Sequence, residues 1–127
     1  MIHKGSCHCG AITYEVEAAE DLEVSECNCS ICSRTGYLHL IVPRSRFTLL
    51  TGEENLSKYT FDTHEAKHLF CKTCGIKSFY IPRSHPDGIS VNVRCLDDAT
   101  IKSISIELFD GKNWEDNISK LKPLPED

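Results

Sequence analysis

Ala66-Lys67-His68-Leu69-Phe70-Cys71-Lys72-Thr73-Cys74-Gly75 is the stretch that decides the fold. Residues 66–70 alternate as a strand does, and the strand runs directly into Cys-x-x-Cys-Gly. That spacing is a zinc knuckle, a tight turn that aims two thiols to one side and uses glycine for its left-handed residue. Upstream, Ser57 to Phe61 alternates in the same way, so Asp62-Thr63-His64 reads as the turn of a hairpin. Downstream, Ile76 to Ile81 is expected to leave the knuckle as a strand. Pro82-Arg83-Ser84-His85-Pro86-Asp87-Gly88 is turn chemistry, and Ile89 to Val93 returns.

The same grammar extends to the rest of the chain. Gly5-Ser6-Cys7-His8-Cys9-Gly10 is a second glycine-flanked knuckle, feeding a strand in which Ile12, Tyr14 and Val16 share a face. Leu22 to Glu26 is a short strand that delivers a loop, Cys27-Asn28-Cys29-Ser30-Ile31-Cys32. Leu38 to Val42 and Phe47 to Leu50 are strands separated at Pro43, and the second ends in the turn Thr51-Gly52-Glu53-Glu54. β-Branched content favours a strand from Ile104 to Phe109, and Trp114 to Leu121 is expected as a short helix before a frayed tail. The expected fold class is mostly β, with antiparallel sheets folded as a sandwich, zinc knuckles and little helix. It forms a single domain over residues 1–127.

Composition removes several classes of function. The formal charge is −5, and ionising thiols on metal makes the chain more negative still. No run of lysine or arginine and no stacking platform appears, which argues against nucleic acid as a partner. Apolar runs are only a handful of residues long, which argues against a membrane span, and residues 1–20 have no signal-peptide pattern. The expected location is cytoplasmic, with access to the nucleus.

In a reducing compartment eight cysteines point to metal rather than disulfides, and their grouping agrees. Cys7, Cys9, Cys71 and Cys74 supply four ligands from two distant places, the arrangement of a structural zinc staple. The competing arrangement completes Cys7 and Cys9 from the 27–32 cluster. Cys27, Cys29 and Cys32 then stand as a group of three. They close structurally if Cys95, His39 or His68 joins them, form a metal-free redox cluster, or hold a zinc ion with one position open to substrate, as catalytic zinc sites do. Three thiolates leave zinc with a net negative charge, a soft site better suited to an exchangeable sulfur than to strong activation of water.

Arg34, Arg83 and Arg94 are candidate guanidinium forks for the carboxylates of a small anionic thiol, against the plainer reading of surface arginines. His8, His39 and His68 are candidate proton carriers. A lone strand histidine is otherwise solvent-facing or satisfied in the core. Cys95 reads as a small buried hydrophobe.

Taken together, these motifs resemble the glutathione-dependent formaldehyde-activating (Gfa-like) family, whose members share the Mss4-like β fold. The resemblance runs through Gly5-Ser6-Cys7-His8-Cys9-Gly10, Cys27 to Cys32 and Phe70 to Gly75. It continues through Phe79-Tyr80-Ile81-Pro82-Arg83-Ser84 and Asn92-Val93-Arg94-Cys95-Leu96-Asp97. Within that family, Tyr59 to His64 and Asn113-Trp114-Glu115 are similar to the conserved domain of centromere protein V. The resemblance implies a structural zinc on Cys7, Cys9, Cys71 and Cys74 and a catalytic zinc on Cys27, Cys29 and Cys32. It also implies carbon–sulfur lyase chemistry on an adduct of glutathione and formaldehyde, S-hydroxymethylglutathione. The rival function is a non-enzymatic zinc-bound interaction module on the same fold, because a fold does not fix an activity. A methionine sulfoxide reductase-like enzyme would need a reactive cysteine free of metal, and only Cys95 lies outside the clusters.

Overall fold

The computed structural model describes residues 1–61, 65–110 and 113. Ten strands form two sheets. The smaller sheet orders β1 (Ile2–Ser6), β2 (Thr13–Glu17) and β5 (Phe47–Thr51) as β1-β2-β5, all antiparallel. The larger contains β3 (Asp21–Cys27), β4 (Leu38–Pro43), β6 (Leu56–Tyr59), β7 (Lys67–Cys71), β8 (Phe79–Ile81), β9 (Gly88–Asn92) and β10 (Ser103–Phe109). Its spatial order is β10-β3-β4-β9-β8-β7-β6.

Strand register explains where the core lies. Leu40, Val91 and Phe79 stand side by side across β4, β9 and β8, on the face turned toward the small sheet. Tyr14 of β2 stacks on Phe47 and meets Phe79 edge-on, both at 5.4 Å between ring centroids. Val16, Leu22, Val24 and Val42 complete the same cluster. Tyr14 is 0% exposed and its hydroxyl has no hydrogen-bond partner, so its ring carries its contribution. Tyr14→Ala is expected to cost about 3–5 kcal/mol in chemical denaturation, as for a large aromatic lost from a packed core. Tyr14→Phe should cost far less.

The opposite face of the larger sheet is also covered, and it is polar. Ile41, Ser90, Tyr80 and His68 form a row across β4, β9, β8 and β7. His39 and Asn92 pair in the adjoining register position.

The structure differs from the sequence-based expectations in four places. β1 pairs along its whole length with β2, yet lacks an apolar alternation because its inward residue is His3. That imidazole is 0% exposed and bonded to Thr100 Oγ1 at 2.7 Å and Ala19 O at 2.8 Å. The three-cysteine segment is not wholly a loop, since residues Ser30–Thr35 form helix α1, closed by Gly36 N–H to Cys32 O at 3.0 Å. The strand expected from Ile76 begins only at Phe79. Ile76 O is taken by Cys71 N–H within the knuckle, and Ser78 O by Asn92 N–H. Finally, β10 joins β3 in parallel, the one parallel pair among the described strands.

Strand β10 lies at the sheet edge. Ile104, Ile106 and Leu108 remain 42%, 52% and 80% exposed there. Ile106 and Leu108 border an open groove of about 800 Å³ with Leu22, Val24 and Val42, and none of the seven clustered cysteines lines it. The expected turn at 62–64 and the expected helix at 114–121 lie outside the described residues. No described helix is long and apolar enough to cross a membrane.

Candidate metal centres and the buried polar pocket

The sulfurs of Cys7, Cys9, Cys71 and Cys74 lie within 4.8 Å of one another, so the two knuckles meet as the spacing predicted. Each knuckle is built alike. Gly10 and Gly75 take φ of 81° and 78°, values that favour a residue without Cβ, and close the turns by N–H bonds to Cys7 O and Cys71 O. The sulfurs are further oriented by donors: Ile12 N–H to Cys7 Sγ at 3.4 Å and Asn55 Nδ2 to Cys71 Sγ at 3.1 Å. The backbone N–H of Cys74, then that of Thr73, draws the Cys71 thiol down to about 6. Donors aimed at a sulfur favour its thiolate, the form that binds metal.

The second group gathers Cys27, Cys29 and Cys32 within 4.8 Å of one another. β3 ends at Cys27, Cys29 caps α1, and Cys32 lies buried one turn into the helix. Asn28, between them, is tied to the end of β10, with N–H to Phe109 O at 3.3 Å and Nδ2 to Asp110 Oδ1 at 3.0 Å. Bonds from Cys27 and Cys32 hold the Cys29 thiol down, and the N–H groups of Cys32 and Ile31 add to this. Cys32 is pushed up by those same contacts with Cys27 and Cys29. Three sulfurs crowded within 4.8 Å of one another are the donor set a soft divalent ion satisfies. Among the described residues no fourth cysteine, histidine or carboxylate joins the group.

Beside this group the polar face carries a buried cluster of side chains. Tyr37 and Tyr80 are held far above the ordinary phenol range by burial, so their hydroxyls stay protonated. Tyr37 donates to Ser90 O at 2.7 Å. Ser90 Oγ and Tyr80 Oη reach His39 Nδ1 at 3.0 and 3.2 Å. Lys77 Nζ lies 2.7 Å from His68 Nδ1 and 3.8 Å from the centre of the Tyr80 ring. Burial, then the Lys77 charge, lowers His39 to about 3 and His68 to about 4, so both imidazoles are neutral at pH 7. Their Nε2 atoms are buried without a hydrogen-bond partner.

Comparison with known proteins identifies the lineage. A profile of the glutathione-dependent formaldehyde-activating enzyme family matches residues 2–111. The chain belongs to this family. A Halomonas elongata protein, provisionally named a glutathione-dependent formaldehyde-activating enzyme, is 30% identical over 82 residues, covering 58% of this chain. The chain spans about half the length of that curated relative, 52%. A crystallised Rhodobacter sphaeroides protein is similar in structure, with TM-score 0.70 and 37% identity. The match covers 82% of this chain and 99% of that one.

On this scaffold the remaining candidates fall into distinct places. Arg34 is exposed on α1 and donates to Ser30 O at 2.8 Å. Arg94 donates through Nε to Gly36 O at 3.0 Å, so both flank the three-cysteine helix. Arg83 lies in the turn before β9, at the other end of that strand from Asn92 and Arg94. His8 is exposed between Cys7 and Cys9. Cys95 is half-buried and joins neither group. Lys77, Tyr37, Tyr80, Ser90 and Asn92 were not visible as site residues in the sequence. The available signal was a lysine three residues past the second knuckle, in a stretch otherwise reading as buried strand.

Proposed function

We propose that this protein is a zinc-dependent carbon–sulfur lyase of the formaldehyde-activating type, acting on a small thiol adduct such as S-hydroxymethylglutathione. Cys7, Cys9, Cys71 and Cys74 hold a structural zinc, and Cys27, Cys29 and Cys32 hold the working one. The observation that carries the reading is the three-sulfur group with no fourth donor among the described residues, set beside a buried polar cluster. A zinc ion held there would supply soft Lewis acidity toward sulfur or a carbonyl oxygen. In the adduct-forming direction, the thiol sulfur's electron pair makes the bond to the aldehyde carbon. The carbonyl π pair moves to oxygen, which takes a proton, and the lyase direction reverses each transfer. Arg34 and Arg94, placed beside α1, are the groups to engage glutathione's carboxylates, with Arg83 as a more distant candidate. The tyrosines of the pocket exclude bulk water and fix the orientation of His39.

The expected result is two zinc ions per chain and accelerated exchange between glutathione–formaldehyde adduct and free thiol, followed by exchange NMR. In cobalt-substituted protein, glutathione should perturb the spectrum of one of the two ions only. Two ions that ignore glutathione, with no acceleration, would overturn the reading. They would favour an interaction module, for which the exposed row Ile104, Ile106 and Leu108 is the supporting observation.

A further inference from the structure

Lys77 is 9% exposed, and an ammonium taken out of water is costly unless something balances it. Among the described residues no carboxylate pairs with it. Its side-chain partners are His68 Nδ1 on β7, the Tyr80 ring on β8, and the Tyr37 ring at 5.0 Å from the segment ahead of β4. Its backbone carbonyl is fixed by Asn92 Nδ2 at 3.2 Å. His39 of β4 also faces this space and is neutral, so Lys77 is the cation of the pocket. The thiols of Cys32, Cys29 and Cys27 favour its charged form. A cation held by a neutral imidazole and two rings, one of them Tyr37 just past the end of α1, is arranged to receive an anion that forms at the adjoining three-sulfur group.

We propose that Lys77 is the proton donor to the reacting oxygen in the carbon–sulfur reaction, with His68 as the residue that positions its ammonium. This rests on the functional reading above. In the addition, the thiol loses its proton to solvent and its sulfur pair forms the C–S bond. The C=O π pair passes to oxygen, and oxygen takes a proton from Lys77 Nζ; the amine is then reprotonated from solvent. In the lyase direction the neutral amine removes the hydroxyl proton, the O–H pair forms C=O, and sulfur leaves with the C–S pair. Burial draws Lys77 down to about 8 against the pull of the thiols, so both forms are accessible near neutral pH.

The test uses the zinc-loaded protein with Lys77→Met and Lys77→Arg, reading zinc content, glutathione affinity and rate. For Lys77→Met the expected result is two zincs, glutathione affinity within about 3-fold, and kcat lowered about 10²- to 10⁴-fold. Lys77→Arg restores charge without a proton to give, and its kcat should stay low. NMR titration of the Lys77 side chain in the native protein should give a midpoint near that of the alkaline fall in addition rate, and His68→Asn should move both. Native-like kcat in either variant with two zincs bound would overturn the proposal. If Lys77→Met loses zinc or unfolds, the Lys77→Arg rate decides. A native protein without thiol–aldehyde activity would instead defeat the functional reading, whatever the lysine variants do.

Discussion

Replacing Cys29 and Cys32 together with alanine is expected to leave a folded protein that has lost one of its two zinc ions and at least about 10³-fold of its adduct-forming rate. That factor corresponds to about 4 kcal/mol of barrier, the scale of Lewis-acid stabilisation removed with a metal. The fold should survive because α1 spans only Ser30–Thr35, with Cys32 as its buried residue. The neighbouring strands are held by other contacts: β10 runs the length of β3, and β4 pairs with β9 from His39 to Pro43. Metal analysis, a thermal melt and the NMR exchange rate on one preparation separate the outcomes. Retained rate with one zinc would place the chemistry elsewhere, and loss of the melt would make this group structural.

The two cysteine groups were legible in the sequence because cysteine spacing is a local property. Cys71-x-x-Cys74-Gly75 makes a knuckle whatever lies around it, and the structure brings it to Cys7 and Cys9 as expected. Most strands were legible for a related reason, since Ile89-Ser90-Val91-Asn92-Val93 and Leu38-His39-Leu40 alternate as one-sided strands do. That same alternation hid the pocket. A polar residue every second position is read as facing water, yet Ser90, His39, His68 and Asn92 are 0%, 5%, 5% and 8% exposed. They are buried because Tyr37 and the residues around Lys77 lie against that face, and no periodicity encodes such a contact. Strand β1 was missed for the complementary reason. Its core position is His3, whose two ring nitrogens are satisfied by Thr100, 97 residues away, and by Ala19. Parallel pairing of β10 with β3 is likewise non-local and leaves no mark in either strand.

Substituting a ligand of the other metal group should produce the opposite pattern: failure of the fold before failure of chemistry. Cys7→Ala is expected to abolish cooperative unfolding at 37 °C, or to lower Tm by more than about 15 °C. Cys7 is 2% exposed within the core cluster, and the four-sulfur group joins residues 62 positions apart, from Cys9 to Cys71. It therefore fixes the small sheet's first hairpin to β7 of the large one. Zinc in such a site contributes on the order of 10 kcal/mol to folding, against a typical net stability of about 5–15 kcal/mol, so weakening it consumes most of the margin. Circular dichroism of the native protein during slow chelation should show the same hierarchy. The first zinc to leave should come from Cys27, Cys29 and Cys32, which have no fourth donor among the described residues, with activity lost while the spectrum holds. Departure of the second should coincide with collapse of the β signal. Unfolding simultaneous with the first loss would mean that the two groups form one structural unit rather than a staple and a working site.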